Sequence, residues 1–228
     1  MISINQIASG SSGNAYHISD GHCSLLIECG ISFKRLQRAT GFQVSSLAGC
    51  LISHEHKDHC KAVHDVLAAG VNCYMTAGTA EALGIGHHRL KIIKARQQFK
   101  VGSWDILPFE SEHDAAEPVG YLLQSGPEKL LFLTDSYFCR FSFPGLTLIM
   151  IECNYALDIL MENDLPASHK KRVMQSHFSL ANVKEFLKAN DLSRVREIHL
   201  LHLSRDNSDP VRFKTEIEQL TGKPVCVL

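Results

Sequence analysis

Missing from this sequence is any apolar run long enough to cross a bilayer. The longest runs, such as LTLIMI at 146–151, stop far short of the roughly 20 residues a spanning helix needs. The opening stretch, MISINQIASG, lacks the charged and apolar regions of a signal peptide. A soluble, cytoplasmic protein with no membrane partner is the expectation. An excess of charge is missing as well: 23 Lys+Arg stand against 24 Asp+Glu, a formal net of −1, so no global positive field gathers nucleic acid. Contact with a polyanion must be local, for instance at HHRLKIIKAR (87–96) or HKKR (169–172), although such runs are more often solvated faces. The eight cysteines, Cys23, Cys29, Cys50, Cys60, Cys73, Cys139, Cys153 and Cys226, contain no CxxC pair, which argues against a zinc finger and suggests reduced core thiols. No linker-like, low-complexity or repeated segment divides the chain, so a single domain over 1–228 is expected.

What is present is a chain of 228 residues, 45% hydrophobic, that can bury a sizeable core. Short strand-like runs recur: SLLIE (24–28), GCLIS (49–53), NCYM (72–75), WDILPF (104–109), GYLLQ (120–124), KLLFLT (129–134) and EIHLLHL (197–203). Helical patterns lie between them, with apolar Val63, Val66 and Leu67 in one, Leu180, Val183, Phe186 and Leu187 in a second, and Phe213, Ile217 and Leu220 in a third. Ser179 can cap the second, Asp209 with Pro210 can open the third, and Gly222 can close it. The class read from this alternation is α/β.

The stretch ISHEHKDHC (52–60) holds three of the 13 histidines. If Leu51–Ser53 end a buried strand, His54 and His56 point the same way and can grip one ion. Asp58 and His59 then fall near the start of the helix expected around Lys61–Ala69, where they can serve a neighbouring ion. An HExxH zinc helix would need histidine at Asp58, so HxHxDH is the pattern that fits. Further donors sit at the ends of other strand-like runs: His113 after WDILPFESE, Asp135 ending KLLFLTD, and His202 in EIHLLHLS. A two-metal site needs a carboxylate whose oxygens can bridge the ions, and Asp135 is the natural candidate.

The motifs SHEHKDH, EHDAAEPVGY, FLTDS, ECNY, SHFSLAN and LLHLSRDN resemble, in order, those of the metallo-β-lactamase fold, and most of all its YycJ/WalJ-like nuclease branch. The resemblance runs from ASGSSGNAY to HLSRDN and implies a four-layer αββα sandwich. It implies that His54, His56 and His113 bind a first divalent ion, that Asp58, His59 and His202 bind a second, and that Asp135 touches both. Zn²⁺ and Mn²⁺ both suit this donor set. It also points to Glu152 and His177 as a pair that assists the leaving group in related phosphodiesterases such as RNase Z. Asp58, Glu152 and His177 are therefore the expected catalytic residues. Where relatives carry aspartate this chain has Glu28, for which a structural role is expected. The loop SGSSGN (9–14) could offer amides to a phosphate or be a plain turn.

The function this implies is a dinuclear, metal-dependent hydrolase: a phosphodiesterase that cleaves nucleic acid in the manner of a DNA exonuclease, using a hydroxide bridged by the two metals. The compact, near-neutral chain also suits a cyclic nucleotide phosphodiesterase resembling the phage anti-Pycsar proteins. A metal-stabilised binding module without catalysis is the third reading. Dimers occur among relatives, so a homodimer is among the expectations.

Overall fold

The apolar runs become strands in the computed structural model, which describes residues 1–227. These divide into two compact units, 1–110 with 115–127, and 111–114 with the described residues from 128 on. In the first, β1 (Ser3–Ala8), β2 (Ala15–Ser19), β3 (Ser24–Ile27), β4 (Gly49–Leu51), β5 (Cys73–Thr76) and β6 (Leu90–Ile93) form a six-stranded sheet in that order. The β1–β2–β3 pairings are antiparallel and those from β3 to β6 parallel. Parallel neighbours require crossovers. Here these contain α1 (Phe33–Ala39), α2 (Lys57–Cys60), α3 (Val63–Ala68) and α4 (Ala77–Ala82). An antiparallel run, β7 (Phe99–Val101), β8 (Trp104–Glu110) and β9 (Val119–Ser125), completes the unit. Its core includes Leu26, Cys29, Cys50, Ile52, Val66, Leu67 and Met75, and each large aliphatic buried there contributes about 1.5–3 kcal/mol before entropy is charged.

The second unit carries four parallel strands in sequence, β10 (Glu128–Leu133), β11 (Leu148–Glu152), β12 (Glu197–Leu201) and β13 (Val225–Val227). All five residues of β11 are buried, as expected of a parallel strand covered on both faces, which reads as a continuous apolar run. The helices are α5 (Leu157–Glu162), α6 (Ala167–Ser176), α7 (Leu180–Lys188) and α8 (Pro210–Thr221). α7 buries Leu180, Val183, Phe186 and Leu187, and the Ser179 side chain accepts from the Asn182 amide. α8 opens with Asp209 accepting from the Arg212 amide and closes at Gly222, whose φ of 65° is the left-handed cap that favours glycine.

The helix expected around Lys61–Ala69 is α3, and a separate four-residue helix, α2, precedes it; Lys61 and Ala62 lie between the two, with the Ala62 amide bonded to the Cys29 carbonyl. One expectation needs correction. Not all eight thiols are in the core: Cys23 and Cys139 are half-buried and Cys226 is exposed, since Cys23 follows a turn and Cys226 lies on the short final strand β13.

The parallel strands place the chemistry. Chains leaving their C-terminal ends are where α/β folds bind ligands. In unit one β4 runs out through Ile52 and Ser53 to His54, and in unit two β10, β11 and β12 end at or just before Asp135, Glu152 and His202.

Candidate metal centre

In the first unit the HxHxDH segment is held in a tight turn. His54 and His56 bring Nε2 and Nδ1 to within 3.1 Å of each other. Two nitrogens bound tetrahedrally to one zinc at about 2.0–2.1 Å lie roughly 3.3 Å apart, so the pair is spaced to share an ion. His54 Nδ1 meets Ser53 Oγ at 2.8 Å. His59 is fully buried, its ring centroid 4.2 Å from that of His54. Its Nδ1 faces Glu28 Oε2 and its Nε2 faces Asp58 Oδ2, each at 3.4 Å. A carboxylate behind a histidine in this way fixes the ring that binds metal.

The surroundings explain why the turn is stable. Asn14 donates its amide to the Asp58 carbonyl at 2.7 Å, and its Nδ2 lies 3.2 Å from both that carbonyl and His59 Nε2. Glu28, buried with φ of 62°, accepts from the Ser53 amide at 3.0 Å. Burial raises its pKa, and the hydrogen bond and charge of His59 oppose the rise. The 9–14 loop works inward: its Gly10, Gly13 and Asn14 amides bond to Asn14 Oδ1, the Gly10 carbonyl and the Asp58 carbonyl. Those three amides are thus committed to bracing rather than offered to a phosphate.

In the second unit the donors converge on Asp135. Its two oxygens face different histidines: Oδ2 lies 3.5 Å from His113 Nε2, and Oδ1 lies 3.5 Å from His202 Nδ1. This is the disposition a bridging carboxylate needs. His113 donates Nδ1–H to the Ser176 carbonyl at 2.8 Å, which in the neutral ring leaves Nε2 as the nitrogen with the lone pair. Burial favours that neutral form by lowering its pKa. Asn154 steadies His202, donating from Nδ2 to its carbonyl at 2.8 Å. Asp135 and His202 have φ of 38° and 52°, a left-handed conformation uncommon outside glycine and typical of sites that hold strain.

Glu152 and His177 are a close pair. His177 Nδ1 lies 2.6 Å from Glu152 Oε1, and Oε2 of the same carboxylate accepts from the Ser136 and Phe178 amides at 3.1 and 3.0 Å. Burial alone would raise the Glu152 pKa, yet the charge and hydrogen bond of His177 bring it below the usual value. Burial likewise opposes protonation of His177, and the Glu152 carboxylate outweighs it, so its pKa is raised above 6.5. One donor atom from each of Asp135, Glu152, His177 and His202 lies within 4.8 Å of the others. Two buried carboxylates this close repel and pay desolvation unless positive charge sits beside them. Imidazole and carboxylate donors are the set that a divalent transition ion accepts.

Of the expected metal-ligating and catalytic residues, His54, His56, Asp58 and His59 lie in the first unit, and His113, Asp135, Glu152, His177 and His202 in the second. Sequence reasoning missed the two asparagines. Asn14 and Asn154 lie inside the quoted motifs ASGSSGNAY and ECNY, but their roles rest on backbone and histidine partners brought near by folding.

Comparison with known proteins agrees with this geometry. The model of the β-lactamase superfamily domain matches residues 24–203. The exodeoxyribonuclease YycJ of Bacillus anthracis is 27% identical over 94% of this chain and 87% of its own length. The exodeoxyribonuclease WalJ of Streptococcus pneumoniae serotype 2 is 28% identical over 89% and 81%. Among solved structures, the metallo-β-lactamase fold protein YhfI from Bacillus subtilis superposes with a TM-score of 0.76 at 16% identity, covering 100% of this chain and 96% of that one. The chain belongs to the β-lactamase superfamily, with the α/β metallo-β-lactamase fold of two mixed sheets and flanking helices and a histidine-rich metal centre of the metallo-hydrolase type.

Proposed function

We propose that the protein is a metal-dependent phosphodiesterase that hydrolyses nucleic acid, acting on DNA as an exonuclease does. The observation that carries this reading is the His177–Glu152 pair: a buried carboxylate 2.6 Å from an imidazole that also lies 4.0 Å from Asp135. Simple hydrolysis at a metal centre needs no such group, whereas loss of an alkoxide from phosphorus gains from a proton donor. Likeness to two exodeoxyribonucleases supports nucleic acid as the substrate.

In this reading His54, His56 and His113 hold one divalent ion, Asp58, His59 and His202 hold the other, and Asp135 serves both, with Zn²⁺ and Mn²⁺ equally suited. When bound, the ions supply a water-derived nucleophile at neutral pH and offset charge growing on the phosphoryl group. Glu152 orients His177 through Nδ1, and His177 keeps a proton at Nε2 near neutral pH and delivers it to the departing oxygen. Residues 1–228 act as one domain, a reading supported by a family match that runs through both units. The setting is cytoplasmic; among the described residues no helix is long and apolar enough to cross a membrane.

The test is a panel of 5′-phosphorylated single- and double-stranded DNA, RNA, 3′,5′-cyclic nucleotides and bis-p-nitrophenyl phosphate, offered to protein loaded with Zn²⁺ or Mn²⁺. DNA shortening that stops on chelation is expected. Asp58→Ala should abolish turnover and lower bound metal. His177→Gln should lower kcat by about 10²–10⁴-fold while keeping the metal. Inactivity across the panel sinks the reading, and turnover of cyclic nucleotides alone moves it to small substrates.

A further inference from the structure

A third cluster lies outside the donors assigned above. Glu197 and His199 are two residues apart on β12, so their side chains share a face. The parallel ladder sets Cys226 of β13 opposite His199, which adds a thiol to that face. One donor atom from each of the three lies within 4.8 Å of the other two. The strand rise of about 3.3 Å per residue puts His199 roughly 10 Å before His202 along the chain, so the cluster stands apart from the donors at the strand's C-terminal end.

His199 supplies the independent sign of a ligand. The residue is 9% exposed and its Nε2, shielded from solvent, has no hydrogen-bond partner among the described residues. Glu197 Oε1 lies 3.4 Å away, beyond the 2.7–3.2 Å range of an N–H···O bond. A buried ring nitrogen left unsatisfied is unfavourable. The same nitrogen aimed between a carboxylate and a thiol is well placed as a ligand. Lys214, whose charge acts on Cys226, pairs with Glu218, whose Oε1 lies 3.8 Å from its Nζ.

We propose that Glu197, His199 and Cys226 form a binding site for one zinc-class divalent cation. One thiolate, one imidazole and one carboxylate select a borderline-soft ion such as Zn²⁺ over Mg²⁺ or Ca²⁺. Three protein donors leave the fourth tetrahedral position to water, reached from the exposed side of Cys226. On binding, the S–H bond breaks, its proton passes to solvent and a metal–sulfur bond forms. The ion then clips the three-residue strand β13 to β12, a brace for the end of the sheet.

Cobalt tests this independently of the proposed activity. The donors assigned to the dinuclear centre contain no sulfur, so a thiolate-to-cobalt charge-transfer band in the near ultraviolet reports on this cluster. Titration of metal-free wild-type protein with Co²⁺ should produce the band, which saturates by about three equivalents, two of them taken by the dinuclear centre without sulfur. Cys226→Ser should abolish it and His199→Gln should weaken cobalt binding at least about tenfold, the scale of losing one good ligand. Far-ultraviolet circular dichroism checks that each variant folds, and DNA cleavage should be unchanged in Cys226→Ser. Absence of the band in wild type overturns the proposal. So does a band that survives Cys226→Ser, which belongs to another thiol, or one indifferent to His199→Gln, which marks adventitious binding by the thiol alone.

Discussion

At the scale of single residues, the site depends on groups that carry no chemistry. Gly30 is the sharpest case: a Cβ added there would lie 1.6 Å from the Asp58 carbonyl oxygen and 2.7 Å from the His59 amide. Both contacts are with backbone, so no side chain can turn aside. Gly30→Ala must push the turn carrying Asp58 and His59 away from its place. It should lower stability by about 1–3 kcal/mol, as overpacking does, and reduce bound metal and turnover together; denaturant unfolding and elemental analysis check it. An alanine variant with full metal content and activity would show that the turn is not held as described. The candidate donors were legible because HxHxDH is local and each further one ends or follows an apolar run. The strained φ values of Glu28, Asp135 and His202 were not, because backbone conformation at a strand end is imposed by tertiary bonds such as that from the Ser53 amide to Glu28.

At the scale of elements, strands, caps and the helices with an apolar stripe were readable, α3 among them, while a single-turn helix was not. Ser179, Asp209 and Gly222 each do what their types suggest. In contrast α2 has four residues, too few for a periodicity to show, and is set by contacts such as that of the Cys29 amide with the His59 carbonyl. Asp20 shows how turns are joined: it accepts from the His22 and Cys23 amides after β2, from Ser103 in the β7–β8 turn, and from Ser125 at the end of β9 at 2.7 Å. Burial would raise its pKa, but the Ser103 hydrogen bond and the others outweigh this and hold it well below 3.8. A carboxyl with a depressed folded-state pKa stabilises the fold fully above its unfolded value and loses that contribution as pH falls through the folded one. Asp20→Asn keeps the shape but removes the charge behind four hydrogen bonds, so it should cost about 1–3 kcal/mol at neutral pH. The gap between variant and wild type in urea unfolding should narrow as pH drops below about 4. A gap that is constant with pH would mean the charge contributes nothing.

At the scale of the whole molecule, balanced charge sets how a polyanion can be held. Neither basic run offers all of its cations: Arg96 lies 2.9 Å from Glu110, Arg172 lies 3.3 Å from Asp114, and Lys170 donates to the Met161 carbonyl. Lys91, Lys94 and Lys171 remain exposed. Such a surface neutralises few phosphates, about two to four, and each phosphate neutralised on single-stranded DNA contributes about −0.7 to the slope of log K against log salt. Binding of 5′-phosphorylated single strands to the slowed His177→Gln protein should therefore fall with a slope of about −1.4 to −2.8 between roughly 50 and 200 mM salt, read by fluorescence anisotropy. Lys91→Ala with Lys94→Ala should flatten the slope by about 1.4 if that run tracks the backbone, and should leave kcat on bis-p-nitrophenyl phosphate unchanged. A slope steeper than about −5 would require a long basic footprint that the charge distribution does not provide. A slope near zero would instead mean that affinity comes from the metal centre and one phosphate, as for a cyclic nucleotide, so the same titration separates a polymer substrate from a small one.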